Sequence, residues 1–340
     1  MTRTPIQRWR TLATQEASMI KFSLFCTALL MAGASVAAQA EYPTRPIRLI
    51  VNSAPAGPVD ICARAIATYA GKLLGQTVIV ENRPGASGRI GAQAVAKAPP
   101  DGYTLLMTLD ALLTVNPHVF KGLGDDVISH LEPLSVAGSF GLALTVQPDL
   151  GVTTVEEFLR YARSTPLAYS SAGYGSPGNL AFEKLKLATG IEVAHVPFGG
   201  SPGAINALLG DQIQVGFLSA AAVQPHIKAR KMRALAISSR ELDPDLPGVP
   251  VMAQLGVESL KDFEAEFAFL VMAPRGMPPD VAAKWDDTLA QVYASPAFQA
   301  SIASLGMRAP FGGSVEAKSW VNAQIGSWEE VIEKAGITSQ

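Results

Sequence analysis

The sequence has few of the residues on which metal binding, disulfides and nucleic-acid recognition depend. Its 340 residues include only 2 cysteines and 4 histidines, and its formal net charge is -2 at pH 7. The histidines have no paired metal-ligand spacing. Without a clustered basic surface we expect no nucleic-acid partner. No phosphate-binding loop with a Gly-Lys-Ser/Thr ending is present, so we expect neither a metal nor a cofactor.

The N-terminus predicts an exported protein. Lys21 precedes an apolar run over residues 22–38, and residues 38–40 (Ala-Gln-Ala) are typical of a signal-peptidase site. The run is too short and too mixed for a membrane span. We therefore predict a signal peptide over residues 1–40, with translation starting at Met1 or Met19, and a periplasmic mature chain. Cys62 is then the single mature cysteine and cannot form an internal disulfide. Its place among Ile61, Ala63 and Ile66 predicts a buried helix position.

The mature sequence alternates apolar runs of strand length with amphipathic runs of helix length. The predicted strands cover residues 46–51, 77–80, 103–108, 142–146, 168–172, 191–196, 213–218 and 267–273. The main predicted helices cover residues 61–74, 155–164, 279–294 and 315–335, and others begin near residue 87, after Ser176 and after Pro202. Thr154 and Glu157 have the spacing of a partial capping box at the start of the helix over residues 155–164. Trp328 lies at helical spacing with other apolar residues, which indicates packing and not a ligand contact. Such alternation predicts parallel sheets covered by helices, with ligands beyond the carboxyl ends of the strands.

A glycine-rich loop joins the second predicted strand to the helix near residue 87. It lies within VENRPGASGRIGAQAVAKAPPDGYTLL, residues 80–106. Backbone N–H groups at a helix start have no intrahelical partner and carry the positive end of the helix dipole. The loop therefore predicts an anion site. A tight turn without a ligand is the alternative.

This run also resembles the signature of Bug-type solute-binding proteins, the receptors of tripartite tricarboxylate transporters, in which VENRPGAGGNIGA followed by VAKAxPDGYTLL is typical. Further similar runs lie at residues 173–181, 196–215 and 227–240, so the resemblance spans about the whole mature chain. It implies an α/β fold of the type II periplasmic binding proteins, with two lobes that each have a central sheet flanked by helices. The implied lobes comprise residues 41–140 with 263–340, and residues 141–262.

The resemblance implies a function as well as a fold. It implies a periplasmic receptor, not an enzyme, that captures a small organic anion such as a carboxylate in a cleft between the lobes. The receptor would deliver this ligand to the integral membrane permease subunits of the transporter, and we expect a monomer. A receptor that feeds a sensory system is the alternative within binding proteins.

The resemblance also implies that the loops after the strands of both lobes hold the ligand. The expected ligand-binding residues are Ser53, Ala54, Gly57, Asp60, Gly85, Ala86, Ser87, Arg89, Asp110, Gly175, Ser176, Phe198, Gly199 and Ser219.

Two loop positions depart from the pattern of the family. Pro58 and Val59 replace a small polar pair, so the first loop lacks one N–H and one hydroxyl. Alternatively, Pro58 simply lies near the first residue of the helix, where proline is tolerated. Arg89 replaces an uncharged residue at a helix start, where the dipole disfavours a cation. We predict that Arg89 touches the anion; an arginine that faces solvent is the alternative.

Two motifs point to enzymes. Residues 173–178 (GYGSPG) match the dinucleotide fingerprint, but Glu192 would lie at the start of its strand, where a ribose-binding acid does not belong. Residues 199–203 (GGSPG) match a nucleophile elbow around Ser201. The elbow needs the N–H of the residue after the serine, and Pro202 has none. A periplasmic hydrolase is therefore the weaker alternative.

Overall fold

The computed structural model describes residues 41–120, 125–243, 245–308 and 312–337. The predicted signal peptide lies outside these residues. The chain divides into two units, Met1–Thr44 and Arg45–Gln340, and every element below belongs to the second unit.

The fold is built from nine strands and twelve α-helices within the described residues. The strands are β1 Ile47–Val51, β2 Val78–Asn82, β3 Thr104–Leu109, β4 Leu131–Val146, β5 Ala168–Ser171, β6 Ala194–Pro197, β7 Val215–Ser219, β8 Arg233–Ile237 and β9 Glu266–Pro274. The helices are α1 Pro58–Leu74, α2 Arg89–Ala96, α3 Ala111–Thr114, α4 Asn116–Val119, α5 Asp125–Ser129, α6 Val155–Ser164, α7 Pro177–Thr189, α8 Ser201–Leu209, α9 Ala220–Lys228, α10 Pro279–Ala294, α11 Pro296–Ala303 and α12 Ser314–Ala335. None of these helices is both long enough and apolar enough to cross a membrane.

Local sequence signals set the bounds of α1. The helix starts at Pro58, three residues before the predicted start, because proline at N1 has no N–H to leave unpaired and its φ already suits a helix. It ends at Gly75, which has the left-handed φ of 65° that glycine tolerates best. Cys62 lies on its buried face with no exposed surface, as predicted, and burial raises the pKa of its thiol to about 12.

A capping box starts α6. The Oγ1 atom of Thr154 accepts a hydrogen bond from the Glu157 N–H at 3.2 Å. The carboxylate of Glu157 accepts one from the Thr154 N–H at 3.3 Å. This reciprocal pairing satisfies two N–H groups at the helix start, and it confirms the cap predicted from the Thr-x-x-Glu spacing.

The strands form one continuous sheet path in the order β2-β1-β3-β9-β4-β7-β5-β6, and β8 also pairs with β4. As predicted, β1, β2 and β3 are parallel, and so are β5, β6 and β7. However, β9 runs antiparallel to β3, and β4 runs antiparallel to β9, β7 and β8. The prediction of parallel sheets is therefore wrong at the centre of the path, for β4 and β9.

The long strand β4 joins the two halves of this path. Its residues up to Gly141 pair with β9, and its residues from Leu142 onward pair with β7 and β8. We refer to the β2-β1-β3-β9 side as the first sheet and to the β7-β5-β6 side, with β8, as the second sheet. The prediction for β4 covered only residues 142–146, because Pro133 and several polar residues interrupt the apolar run before them.

The last helix packs on both sides of this junction. Trp328 of α12 is fully buried and stacks on Phe267 of β9 with ring centroids 5.1 Å apart. The same buried cluster contains Phe158 of α6 and Phe182 of α7, which cover the second sheet. Lys184 of α7 donates to the Oγ atom of Ser327 at 2.9 Å. The predicted packing role of Trp328 is confirmed, and the lobe boundaries stay a prediction.

Candidate functional site

A cavity of about 260 Å³ lies where β4 passes from the first sheet to the second. The lining residues come from β3, β4, β7 and β9, from the loop after β5, from the helices α1, α7 and α8, and from the segment after α11. They are Pro58, Val59, Leu109, Phe140, Leu142, Ala172, Pro177, Gly178, Ser201, Ile205, Phe217, Leu218, Ser219, Phe269, Leu305 and Met307. Leu109 and Ser219 end the parallel strands β3 and β7, so the cavity is at the carboxyl ends of strands, as expected for this class of sheet.

Four helix starts meet at this cavity. Pro58 begins α1, Pro177 begins α7, Ser201 begins α8, and Ser219 directly precedes α9. The first N–H groups of a helix have no intrahelical acceptor and carry the positive end of its dipole. Proline has no N–H, so the donors at α1 and α7 begin with the residues after Pro58 and Pro177. The arrangement provides a positive potential for an anion without a basic side chain.

The remaining walls of the cavity are apolar. Phe140 and Phe269 pack edge to face with ring centroids 5.6 Å apart, and Phe217 is 1% exposed. Ser201 and Ser219 supply the polar side chains among the lining residues that the structure describes, and none of these residues is ionisable. The cavity therefore combines backbone donors and two hydroxyls with a largely hydrocarbon surface.

Two close backbone approaches fix this geometry. A Cβ atom on Gly178 would lie 2.5 Å from the carbonyl oxygen of Phe217, so glycine lets the start of α7 lie directly against β7. A Cβ atom on Gly306 would lie 2.5 Å from the Cβ atom of Ala221. Gly306 follows α11, which packs on α1, and Ala221 belongs to α9, which packs on β7. This second approach therefore joins the helices of the first sheet to those of the second.

In the first predicted loop, Asp60 organises the backbone. It is 2% exposed, and its carboxylate accepts hydrogen bonds from the Ala56 N–H, Arg64 Nε and Asn82 Nδ2, each at 2.9 Å. Burial by itself would raise the pKa of Asp60, but these hydrogen bonds outweigh it and hold the pKa below its ordinary value. Gly57 is the N-cap residue of α1, with a φ of -78°. Through these hydrogen bonds Asp60 holds the loop before α1 in place, next to the cavity residue Val59.

Ser53 and Ala54 lie in the same loop. The Oγ atom of Ser53 is buried and has no hydrogen-bond partner among the described residues, and Ala54 is exposed. Neither residue lines the cavity.

The glycine-rich loop forms a left-handed turn before α2. Ala86 and Ser87 have φ values of 47° and 53°, between Gly85 at 118° and Gly88 at 87°. Helix α2 consequently begins at Arg89, two residues later than predicted. Ala86, Ser87 and Arg89 line a different cavity, of about 370 Å³, together with Ile90, Gln93, Phe120 and Val127. The structure therefore groups these predicted residues with one another, outside the apolar cavity.

Asp110 lies just after the cavity residue Leu109 but is fully buried. Trp320 of α12 donates its indole N–H to Asp110 Oδ2 at 2.9 Å. Burial raises the pKa of this carboxyl to about 7, although the hydrogen bond from Trp320 acts in the opposite direction. Asp110 is therefore placed to connect β3 to α12, not to line the cavity.

The remaining predicted residues belong to the loops of the second sheet. The Gly175 N–H donates to Asn179 Oδ1 at 2.9 Å, and the Ser176 hydroxyl donates to the Gly173 carbonyl at 2.7 Å. Ser176 precedes α7 without capping it through its side chain. The Phe198 N–H donates to the carbonyl oxygen of Ser171 at 3.0 Å, and Gly199 is exposed. Of all the predicted residues, Ser219 is the one that lines the apolar cavity.

The hydrolase alternative requires a base beside Ser201. Among the described lining residues of the cavity there is no Asp, Glu or His. His195 Nε2 instead lies 2.7 Å from the Oγ atom of Ser171, a buried side chain. Pro202 follows Ser201 inside the first turn of α8, so the N–H that an oxyanion hole would use at this position is missing.

Most of the apolar wall was not predicted from the sequence. Phe217 and Phe269 lie within predicted strands, so their positions were visible, but an apolar residue in a strand is more often core than site. The available signal was the proline near the start of three helices, α1, α7 and α8, each directly after a short loop.

The sequence of this chain is similar to those of known proteins. A family model described as "Tripartite tricarboxylate transporter family receptor" (TctC) matches residues 62–337. Protein BugT of Bordetella pertussis is 32% identical over 314 residues, which cover 91% of this chain and 95% of BugT.

Two solved structures are similar over almost their whole length. The R. palustris protein Rpa4515 with adipate has a TM-score of 0.76 and 30% identity, and the match covers 88% of this chain and 100% of that one. MatC from Rhodopseudomonas palustris with bound malate has a TM-score of 0.72 and 27% identity, with 86% and 100% covered.

Proposed function

Because this chain belongs to the tripartite tricarboxylate transporter receptor family, we propose that it binds a small organic carboxylate in the cavity at the junction of its two sheets. The fold is that of a two-lobed periplasmic binding protein, and the members of the family are solute-binding receptors, not enzymes. The observation that carries the proposal is the meeting of four helix starts at one cavity. A carboxylate there would accept hydrogen bonds from backbone N–H groups under the positive ends of the dipoles.

The presence of adipate and malate in two similar structures supports the class of ligand. We propose further that the ligand is passed to the permease subunits of a tripartite transporter, and that residues 1–40 direct export to the periplasm. The family assignment supports both steps. We also propose that the receptor acts as a monomer, which light scattering of the mature protein tests directly.

A thermal-shift screen of organic carboxylates on the mature protein, followed by calorimetric titration, tests the binding step. A carboxylate at a hundred times its Kd should stabilise the folded state by about 2.7 kcal/mol. If no carboxylate of the screen raises the melting temperature or releases heat on titration, the proposed function is wrong.

The position of the site is tested by variants. Ser219→Ala and Ser201→Ala should each weaken carboxylate binding, by roughly 0.5–1.5 kcal/mol per lost hydrogen bond. Ser301→Ala is the matched control, because Ser301 lies on α11 outside the cavity and its hydroxyl donates to the Ala297 carbonyl.

The contact between Arg89 and the ligand remains a prediction. The variant Arg89→Gln distinguishes a site in the apolar cavity from a site in the cavity that Arg89 lines. Weaker binding by Arg89→Gln, together with unchanged binding by both serine variants, would move the site to the second cavity beside Ala86 and Ser87.

A further inference from the structure

We infer that the preferred ligand is a monocarboxylate with an apolar body, and that a second carboxylate on the same ligand weakens binding. This inference rests on the proposed function and specifies the class of ligand for the same cavity. It depends on the distribution of polar and apolar groups around the cavity, on the charge of the lining side chains and on the volume of the cavity.

The polar groups of the cavity are few and lie at helix starts. They are the hydroxyls of Ser201 and Ser219 and the backbone donors of the first helical turns. Val59 adds no hydroxyl and Pro58 adds no N–H to this set. One carboxylate of a ligand can use these donors.

The rest of the lining is hydrocarbon. It consists of three phenylalanine rings and of leucine, isoleucine and methionine side chains, namely Leu109, Phe140, Leu142, Ile205, Phe217, Leu218, Phe269, Leu305 and Met307. A ligand body of CH₂ groups or an aromatic ring removes this surface from water together with its own. Each CH₂ group added to the body should tighten binding roughly fourfold.

A second carboxylate would find no cation in this wall. None of the lining residues that the structure describes is Lys, Arg or His. An ionised carboxylate loses its hydration when it is buried, and without a charged partner nothing compensates for that loss. The two similar structures hold the dicarboxylates adipate and malate, so we expect the ligand preference of this chain to differ from those proteins.

The volume of the cavity limits the size of the apolar part of the ligand. The cavity of about 260 Å³ is slightly smaller than the usual range for ligand pockets, roughly 300–1,000 Å³. It has room for roughly nine groups of the size of a water molecule, taking about 30 Å³ for each. Hexanoate and benzoate are of this size.

Matched pairs of acids test the inference by calorimetric titration of the mature protein. Hexanoate is compared with adipate, which has the same number of carbons and one more carboxylate, and benzoate is compared with terephthalate. We expect each monocarboxylate to bind at least about tenfold more tightly than its dicarboxylate partner, and hexanoate to bind more tightly than butanoate.

A variant of the wall provides the complementary test. Ile205 is half-buried on α8, so Ile205→Lys places a cation at the wall with little disturbance of the core. This variant should reverse the preference and bind adipate more tightly than hexanoate. Ile205→Met, which is uncharged and similar in volume, is the control and should keep the preference for hexanoate.

The outcomes separate the two proposals. If adipate binds the unmodified protein as tightly as hexanoate or more tightly, the inference of an apolar monocarboxylate is overturned and the carboxylate receptor stands. If none of the four acids binds, the inference is overturned and the function itself is contradicted once the wider carboxylate screen also fails. If Ile205→Lys does not give a cooperative thermal transition, the acid pairs on the unmodified protein decide alone.

Discussion

The contact between Gly178 and β7 offers a sharp test of how the cavity is built. Gly178 is the second residue of α7, and a Cβ atom there would lie 2.5 Å from the Phe217 carbonyl oxygen. Neither partner in this contact is the flexible end of a side chain, so Gly178→Ala must push the start of α7 away from β7. We expect the variant to be less stable and to bind carboxylates more weakly, because both residues also line the cavity.

The expected magnitude follows from two opposing effects. Overpacking of a well-packed contact costs roughly 1–3 kcal/mol. Replacing glycine by alanine in a helix stabilises the folded state by up to about 1 kcal/mol. Gly178→Ala should therefore destabilise the protein by roughly 1–2 kcal/mol.

Gly326→Ala is the matched control, because the same substitution occurs there without the clash. Gly326 is exposed in the middle of α12, and a Cβ atom there would have no neighbour within 4 Å. It should stabilise the protein by roughly 0.5–1 kcal/mol.

Urea unfolding of the mature protein, followed by circular dichroism, measures both variants. With a slope of about 3 kcal/mol/M, a difference of about 2 kcal/mol separates their midpoints by roughly 0.7 M. A Gly178→Ala midpoint at or above that of the unmodified protein would refute the reasoning, because it would mean that α7 does not press on the Phe217 carbonyl.

Two further predictions concern the junction of the sheets. Burial raises the pKa of Asp110 from its ordinary 3.8 to about 7, so the unfolded chain binds fewer protons than the folded one between about pH 4 and 7, and stability should fall as pH rises through that range. Asp110→Asn should remove this dependence, so that its stability relative to the unmodified protein increases from pH 4 to pH 8; a difference that is the same at both pH values in urea titrations would contradict the assignment. Ala221→Leu should obstruct the contact between α9 and Gly306. If the conformation with this contact is the one that binds the ligand, a tenfold fall in its population should weaken carboxylate binding roughly tenfold. The urea midpoint should change little. Ala222→Leu, at the exposed next position of the helix, is the control, and equal losses of affinity in both variants would show that the approach does not matter for binding.

Several features of this protein were determined by the sequence alone. The alternation of apolar and amphipathic runs established an α/β fold, since a few neighbouring residues decide strand and helix periodicity. The start of α6 followed from Thr154 and Glu157, and the burial of Cys62 followed from its spacing on α1. The motif run at residues 80–106 indicated the family, which the comparisons then showed. All of these signals are local, so they do not depend on how the strands are ordered.

Only the tertiary structure decided which side chains surround the cavity. Its lining runs from Pro58 to Met307, and the sheet order brings these residues together, with β9 inserted between β3 and β4. The position of Asp110 also depends on the tertiary structure. Asp110 directly follows a strand, which is where a ligand-binding residue was expected, but the indole of Trp320, 210 positions later in the chain, donates a hydrogen bond to it. Contacts between residues so far apart depend on strand order and register, which no local pattern encodes, and for that reason the apolar wall could not be predicted before the fold was known.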